Sequence, residues 1–243
     1  MIVLFTDFGV ADPYVGQLHA VLARAAPQVR VVDLFHSVPN YDIRAGAFLL
    51  PAYSTGFASG TVFLCVVDPG VGSQRRAILL NADECWFVGP DNGLFEVVAR
   101  RARQPRILEL HWRPEHLSAS FHGRDWFAPV AAMLARGEMP WAAPTELARP
   151  ADAPWPEDLA QIIYIDHYGN AVTGVRAATV DRAAMLRVRA HTLGYARVFS
   201  EVPAGRAFWY ENANGLVEIA VHRGSAVNQL GLQCGDVLEV DGA

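Results

Sequence analysis

Two stretches of contrasting character predict an α/β fold: an N-terminal layered α/β domain with a largely parallel sheet, followed by a small C-terminal antiparallel β-barrel domain. Up to about residue 136, short apolar runs rich in β-branched residues alternate with helical patterns, the signature of βα units. Pro140, Pro144, Pro150, Pro154 and Pro156 then interrupt all periodicity and read as a linker. Beyond them helical signals nearly vanish, and short strands separated by turn residues imply a small barrel. The expected division is 1–140, a Pro-rich linker over 141–158, and 159–243.

In the first region, residues 2–5 form a short buried strand that ends in Thr6-Asp7-Phe8-Gly9. Tyr14 to Ala25 sets Val15, Leu18, Val21 and Leu22 on one helical face. Residues 29–35 return to strand character. Asp42 suits the N-cap of the next helix, with Pro51 at its end or at a kink. Strands follow at 61–67, 76–80 and 86–89, then a turn over Pro90-Asp91-Asn92-Gly93. A helix over 94–103, a strand over 106–110 and a helix over 125–136 complete the alternation. The second region offers strands at 162–166, 171–175, 186–190, 196–199, 216–221 and 236–240.

Composition removes several classes of function. With 243 residues and 52% hydrophobic content there is material for a real core in one large or two small domains. A formal charge of −5 gives no basic footprint for a nucleic-acid partner. Every one of the 20 basic residues is arginine, so Schiff-base lysines, lysine general bases and P-loop lysines are excluded. Three scattered cysteines form no CxxC pair, and no apolar run approaches the ~20 residues of a membrane span. Residues 1–5 meet Asp7 too soon for a secretory signal, so a cytoplasmic protein with no membrane partner is expected.

The most informative polar stretch runs from Val66 to Arg76, VVDPGVGSQRR. It puts Asp68 at the carboxyl end of a buried strand, where open α/β sheets gather their ligands, and a glycine turn brings Arg75 back towards it. A salt bridge closing a turn would use the same residues. TDFG, FHGRD and IDHYGN repeat the pattern of polar groups after apolar runs, which points to an active site. Asp7 can accept two hydroxyl hydrogen bonds from a ribose diol, or cap a helix; Asp12 and Tyr14 follow close by. His122, between Phe121 and Gly123, suits orienting a nucleophile or moving a proton. No second ligand pair has zinc or iron spacing, so no metal is expected. Asp166 and Asn170 suit a substrate ammonium and its neighbouring polar groups, or a hairpin turn. Asn212 to Gly215 and His222 to Ser225 flank the strand LVEIAV, where exposed amides suit a purine edge.

Together these segments resemble the S-adenosylmethionine (SAM) hydroxide adenosyltransferases, relatives of fluorinase and chlorinase. The motifs TDFG-x-x-DPYVG, VVDPGVGS-x-RR, GPDNGLF, FHGRDxFAPVAA, IDHYGN and GLVEIAV-x-x-GSA occur in order over nearly the whole chain. The resemblance implies hydrolysis of SAM to adenosine and L-methionine, with Asp68, Arg75 and His122 as the water-handling triad. It implies substrate contacts from Asp7 to the ribose, Asp12 near the methionine end, Tyr41 and Phe199 as stacking rings, and Asp166 and Asn170 at the amino group and the adenine or amino-acid edge. Asn214 and Arg223 join the expected substrate-binding set, although Ala213 and His222 depart from the family pattern. It further implies homotrimers with sites between subunits, and no cofactor or metal. Halogenases carry tyrosine at the Asp68 position, and a carboxylate there repels a halide. A chloride-dependent halogenase and a SAM- or adenosine-binding sensor with negligible turnover are the alternatives; a Rossmann methyltransferase lacks its GxGxG here.

Overall fold

The computed structural model describes residues 1–149 and 154–240. The chain divides into two compact units, Met1–Pro154 and Trp155–Ala243. Residues 150–153 of the expected linker lie outside the described residues.

The first unit is built on one seven-stranded sheet. Its elements in chain order are β1 (Ile2–Thr6), α1 (Tyr14–Ala25), β2 (Val31–Phe35), α2 (Ile43–Tyr53), β3 (Val62–Val66), β4 (Ala77–Ala82), β5 (Cys85–Pro90), α3 (Glu96–Arg101), β6 (Arg106–Leu110), a π-helical turn (Gly123–Phe127), α4 (Ala128–Ala135) and β7 (Ala142–Pro144). The strand order is β2-β1-β3-β5-β4-β6-β7. β1 and β3 are buried at every residue, which is why both read as unbroken apolar runs. Helices α1 and α4 cover one face, where Leu18, Leu22, Val130 and Ala131 pack on Ile2, Leu4, Val62 and Leu64.

The sheet is mixed, which corrects the expectation of a largely parallel one. β1 pairs in parallel with β2 and β3, and β3 with β5. β4 is antiparallel to β5 and β6, and β6 to β7. The cause is a hairpin between β4 and β5, whose two loop residues Asp83 and Glu84 both have positive φ, 46° and 66°. That backbone suits a two-residue turn, but neither residue is the usual Asn or Gly, so the sequence signal was weak. β7 falls where a linker was expected: it pairs with β6, and beyond it Ala148 N donates to Asp91 Oδ1 at 2.9 Å.

The second unit contains β8 (Leu159–Ile165), β9 (Ala171–Arg176), β10 (Leu186–Val188), β11 (His191–Leu193), β12 (Ala207–Glu211), β13 (Leu216–Val221), α5 (Ala226–Leu230) and β14 (Leu238–Val240), with two short 3-10 turns. A four-stranded antiparallel sheet runs β12-β13-β9-β8 and a three-stranded one runs β11-β10-β14. Isolated bridges join Gln161 to Val237 and Tyr195 to Trp209. The strand expected at 196–199 is instead irregular chain leading into a 3-10 turn at Phe199–Glu201, where the Glu201 carboxylate accepts from Arg197 N at 2.8 Å. α5 was not anticipated. Ser225 caps it, accepting from Asn228 N, and Gly231 ends it at φ 65°. No described helix is long and apolar enough to cross a membrane.

Candidate active site

Parallel pairing of β1 with β3 sets the site. Thr6 lies beside Val66, so the residues after each strand, Asp7 and Asp68, emerge at the same carboxyl edge. There they line a cleft of about 450 Å³ with Phe8, Asp12, Tyr41 and His122, within the size range of small-molecule sites.

The turn after β3 returns the chain to Asp68. Val71 N donates to Asp68 O at 3.1 Å, Ser73 N to Gly70 O at 3.1 Å, and Arg75 N to Ser73 Oγ at 3.2 Å. Gly72 is required there: its φ is 81°, and a Cβ would stand 2.5 Å from the Ala119 carbonyl oxygen. Arg75 then grips Asp68 with two parallel bonds, Nε to Oδ1 at 2.8 Å and Nη2 to Oδ2. Both side chains are buried, 9% and 4% exposed, so this is not the solvent-exposed turn bridge that the sequence also allowed. Nη2 also reaches His122 Nδ1 at 2.9 Å. Arginine only donates, so Nδ1 accepts and the single imidazole proton sits on Nε2. Burial, then the Arg75 charge, hold His122 below the ordinary imidazole value of 6.5 despite the opposing pull of Asp68. The imidazole is therefore neutral at pH 7.

His122 is aimed by the turn that follows it. Gly123–Phe127 winds as a π-helix before α4, where the sequence suggested an ordinary helix start. Asp125 accepts from Ser118 N at 3.0 Å and from Arg124 Nε at 2.6 Å, tying the 118–125 segment together.

Asp7 accepts from Tyr41 N at 3.0 Å. Burial pushes its carboxyl above the ordinary value, the nearby Asp68 charge adds to this, and the Tyr41 amide opposes it. Tyr41 sits in left-handed backbone at φ 64°, a conformation that costs a non-glycine residue ~1–2 kcal/mol. The residue is 73% exposed at the cleft edge.

Sequence reasoning gave no role to Phe8 or Asn92. Phe8, Tyr14 and Phe121 form an aromatic cluster with centroids 5.5–5.7 Å apart, and all three line the cleft. Asn92 Nδ2 donates to Val67 O at 2.9 Å, holding the chain just before Asp68. The PDNG signal was visible but read only as a turn.

The second unit has its own cleft, about 590 Å³, lined by Asp166, Tyr168, Asn170, Phe199, Tyr210 and Arg223, among others. The Asp166 carboxylate organises the β8–β9 hairpin: Oδ1 accepts from Tyr168 N and Asn170 N, and Oδ2 from Asn170 Nδ2 at 2.9 Å. The hairpin reading of these residues thus holds beside any ligand role. Asn214 is not brought to this cleft. It is exposed in the β12–β13 turn, while the cleft adjoins Val221 at the far end of β13, about 20 Å away at strand rise. Among the described residues, no three His, Cys, Asp or Glu side chains converge as metal ligands.

Two family models match the chain: the SAM hydroxide adenosyltransferase N-terminal domain over residues 2–143 and the C-terminal domain over 160–239. The chain belongs to this family. It is 40% identical to the (R)-S-adenosyl-L-methionine hydrolase of Salinispora arenicola, over 97% of this chain and 95% of that one. The hydrolase of the same name from Thermus thermophilus is also 40% identical, over 95% of both. A fluorinase from Nocardia brasiliensis is a more distant relative, 24% identical over 56% of this chain and 54% of its own length. A crystal structure described as an uncharacterized conserved protein from Thermotoga maritima superposes with TM-score 0.87 and 31% identity, covering 99% of each chain.

The strained tyrosine gives a first test within this family site. Tyr41→Gly should leave stability unchanged or raise it by up to about 1 kcal/mol, because the backbone strain goes and little buried contact is lost. The same variant should bind nucleoside more weakly. Thermal denaturation beside calorimetric titration with adenosine checks both.

Proposed function

We propose that this chain hydrolyses SAM to adenosine and L-methionine, a water held by Asp68, Arg75 and His122 attacking the ribose 5′ carbon in line with the departing sulfur. The observation that carries the reading is the buried Arg75 guanidinium engaged with Asp68 and His122 together, at the strand edge that also bears Asp7. The water oxygen bonds to the 5′ carbon, the carbon–sulfur pair leaves with sulfur, and the sulfonium becomes the neutral thioether of methionine. The leaving group is already cationic, so the step calls for no metal or other cofactor.

Roles follow from hydrogen-bond capacity. His122 Nδ1 accepts from Arg75, so taking the proton of the water there would cost that bond; its Nε2–H orients the water oxygen. Asp68 lines the cleft, and each of its oxygens keeps acceptor capacity beyond its bond to Arg75, so it accepts the proton. Arg75 offsets the negative charge that develops on oxygen, and cannot itself be the base. With Asp68 balanced by Arg75, Asp7 and Asp12 give the cleft a surplus of negative charge that favours a sulfonium, and the Asp68 carboxylate disfavours a halide beside it. Asp7 holds the ribose hydroxyls, Asp12 lies towards methionine and Tyr41 stacks on the substrate. In the second unit, Asp166, Asn170, Phe199 and Arg223 recognise the remaining groups. The homotrimer implied by the family resemblance, with sites between subunits, belongs to the same proposal, as does a cytoplasmic location. The bridges at Gln161–Val237 and Tyr195–Trp209 support reading the second unit as a closed barrel.

Chromatography of purified protein incubated with SAM tests the reading. Adenosine and methionine should form in equal amounts, independent of chloride, and Asp68→Asn should lower kcat by ~10²–10⁴-fold with KM little changed. A chlorinated nucleoside, or intact SAM that stays bound, would overturn it.

The pH profile is a separate check. Because His122 is held below 6.5, the acid limb of kcat that reports it should fall below pH 6.5. Protonation there sets a second cation against Arg75 and removes its acceptor. Stability follows the same sign: the unfolded chain binds this proton more readily, so stability falls as pH drops below 6.5 towards the folded value.

A further inference from the structure

The loops after β1 and β2 carry Asp7 and Tyr41, and a buried histidine ties the two loops together. β1 and β2 run in parallel, but their register skips Leu34, so Phe5 stands opposite Phe35. The next residues, Thr6 and His36, then come side by side. Both are buried, and Thr6 Oγ1 lies 2.8 Å from His36 Nδ1. Backbone bonds join the same loops: Gly9 N donates to His36 O at 2.7 Å, and Val38 N to Thr6 O at 3.3 Å. Farther along, Tyr41 N donates to the Asp7 carboxylate.

Hydrogen-bond capacity gives this chain of contacts a direction. His36 Nε2 lies 3.1 Å from Asp33 Oδ1, and His19 Nε2 lies 2.8 Å from the same oxygen. Partial burial raises the Asp33 carboxyl, but the bonds from His36 and His19 outweigh it and hold the group below its ordinary value. Asp33 is thus ionised at neutral pH and accepts only. A neutral His36 spends its one proton on Asp33, which leaves Nδ1 to accept from the Thr6 hydroxyl. Thr6 Oγ1 accepts in turn from Phe8 N at 3.2 Å. The sequence of donors runs from Phe8 N–H through the Thr6 hydroxyl and His36 to Asp33. It begins in the wall of the 450 Å³ cleft, which Asp7, Phe8 and Gly9 help to line. It ends on a carboxylate that is half exposed. A buried polar chain satisfied at every member holds a single geometry.

We propose that His36 is a positioning residue for substrate binding: through Thr6 it fixes the turn Asp7-Phe8-Gly9 against the Tyr41 loop, and so sets affinity for the nucleoside. His36 is not among the residues that line the cleft, so it acts through this turn and not on the substrate. The triad stands on other segments, the turn after β3 and the loop before α4, so the effect falls on KM and spares kcat. The inference rests on the reading that Asp7 and Tyr41 hold SAM and adenosine. Its distinctive content is which nitrogen of His36 matters: Nδ1, which meets Thr6, and not Nε2.

Steady-state turnover of SAM by the full-length protein, beside calorimetric titration with adenosine, tests it. His36→Asn keeps an acceptor in the place of Nδ1 and gives up the bond to Asp33. His36→Gln keeps a donor in the place of Nε2 and gives up the bond to Thr6. The Gln variant should raise KM for SAM and Kd for adenosine together by about 10-fold with kcat little changed, whereas the Asn variant should stay close to the wild type. Thr6→Val, of nearly the same shape, should match His36→Gln, and Thr6→Ser should match the wild type. Unchanged KM in His36→Gln, equal losses in the Gln and Asn variants, or a loss confined to kcat overturns the proposal. Nitrogen-15 NMR of labelled histidines in the wild type decides the case even where no variant folds. Nε2 of His36 should carry the proton at neutral pH, and a proton on Nδ1 would overturn the inference. Wild-type protein that neither turns over SAM nor binds adenosine contradicts the hydrolase reading instead. One that does both, with variants indifferent to the choice of nitrogen, contradicts only the role of His36.

Discussion

The Arg75 guanidinium is the interaction on which the rest of the site depends. It joins the turn after β3 to the loop before α4 by holding Asp68 and His122 at once. A buried ion pair is weak evidence of stabilisation, because desolvation offsets the attraction. Removing one partner, however, strands a charge at a cost of ~3–5 kcal/mol. The arrangement thus specifies geometry more than it adds stability. It also settles the imidazole tautomer, since a donor that cannot accept leaves Nδ1 only one role. In the proposed mechanism that constraint leaves the proton of the attacking water to Asp68, a choice the sequence left open.

The supporting residues spend stability on position. Tyr41 is held at positive φ to bring its amide to Asp7. The π-helical turn re-aims the chain after His122, and Asn92 fastens the end of β3. In the second unit Glu218 lies buried among neutral donors, Tyr210 and Asn212. Departures from ordinary local geometry that cluster around clefts are the usual mark of functional sites.

Much of this was legible in the sequence because strand ends are legible. Unbroken apolar runs located β1 and β3, and the polar residues after them, Asp7 and Asp68, follow at the carboxyl edge. The turn that returns Arg75 was visible in its glycines. Grouping His122 with Asp68 and Arg75 came only from the family resemblance, since 47 residues separate it from Arg75 and only tertiary packing unites them. The mixed sheet was missed because Asp83-Glu84 makes a tight hairpin without the residues that announce one. α5 was missed because five residues carry too little periodicity, even though Ser225 and Gly231 mark both ends. The position of Asn214 away from the second cleft was not legible because motif order carries no information on which end of β13 a residue occupies. The burial of Glu218 was not legible because a single charge within LVEIAV gives no sign of which side of the strand is covered.

The central claim is that a positioned water is the nucleophile, and isotope labelling addresses it directly. A single turnover of SAM in water enriched in oxygen-18, followed by mass spectrometry, should place one heavy oxygen in the 5′-hydroxyl of adenosine and none in methionine. Label absent from adenosine, or a lactone formed by attack of the substrate's own carboxylate, would contradict the account.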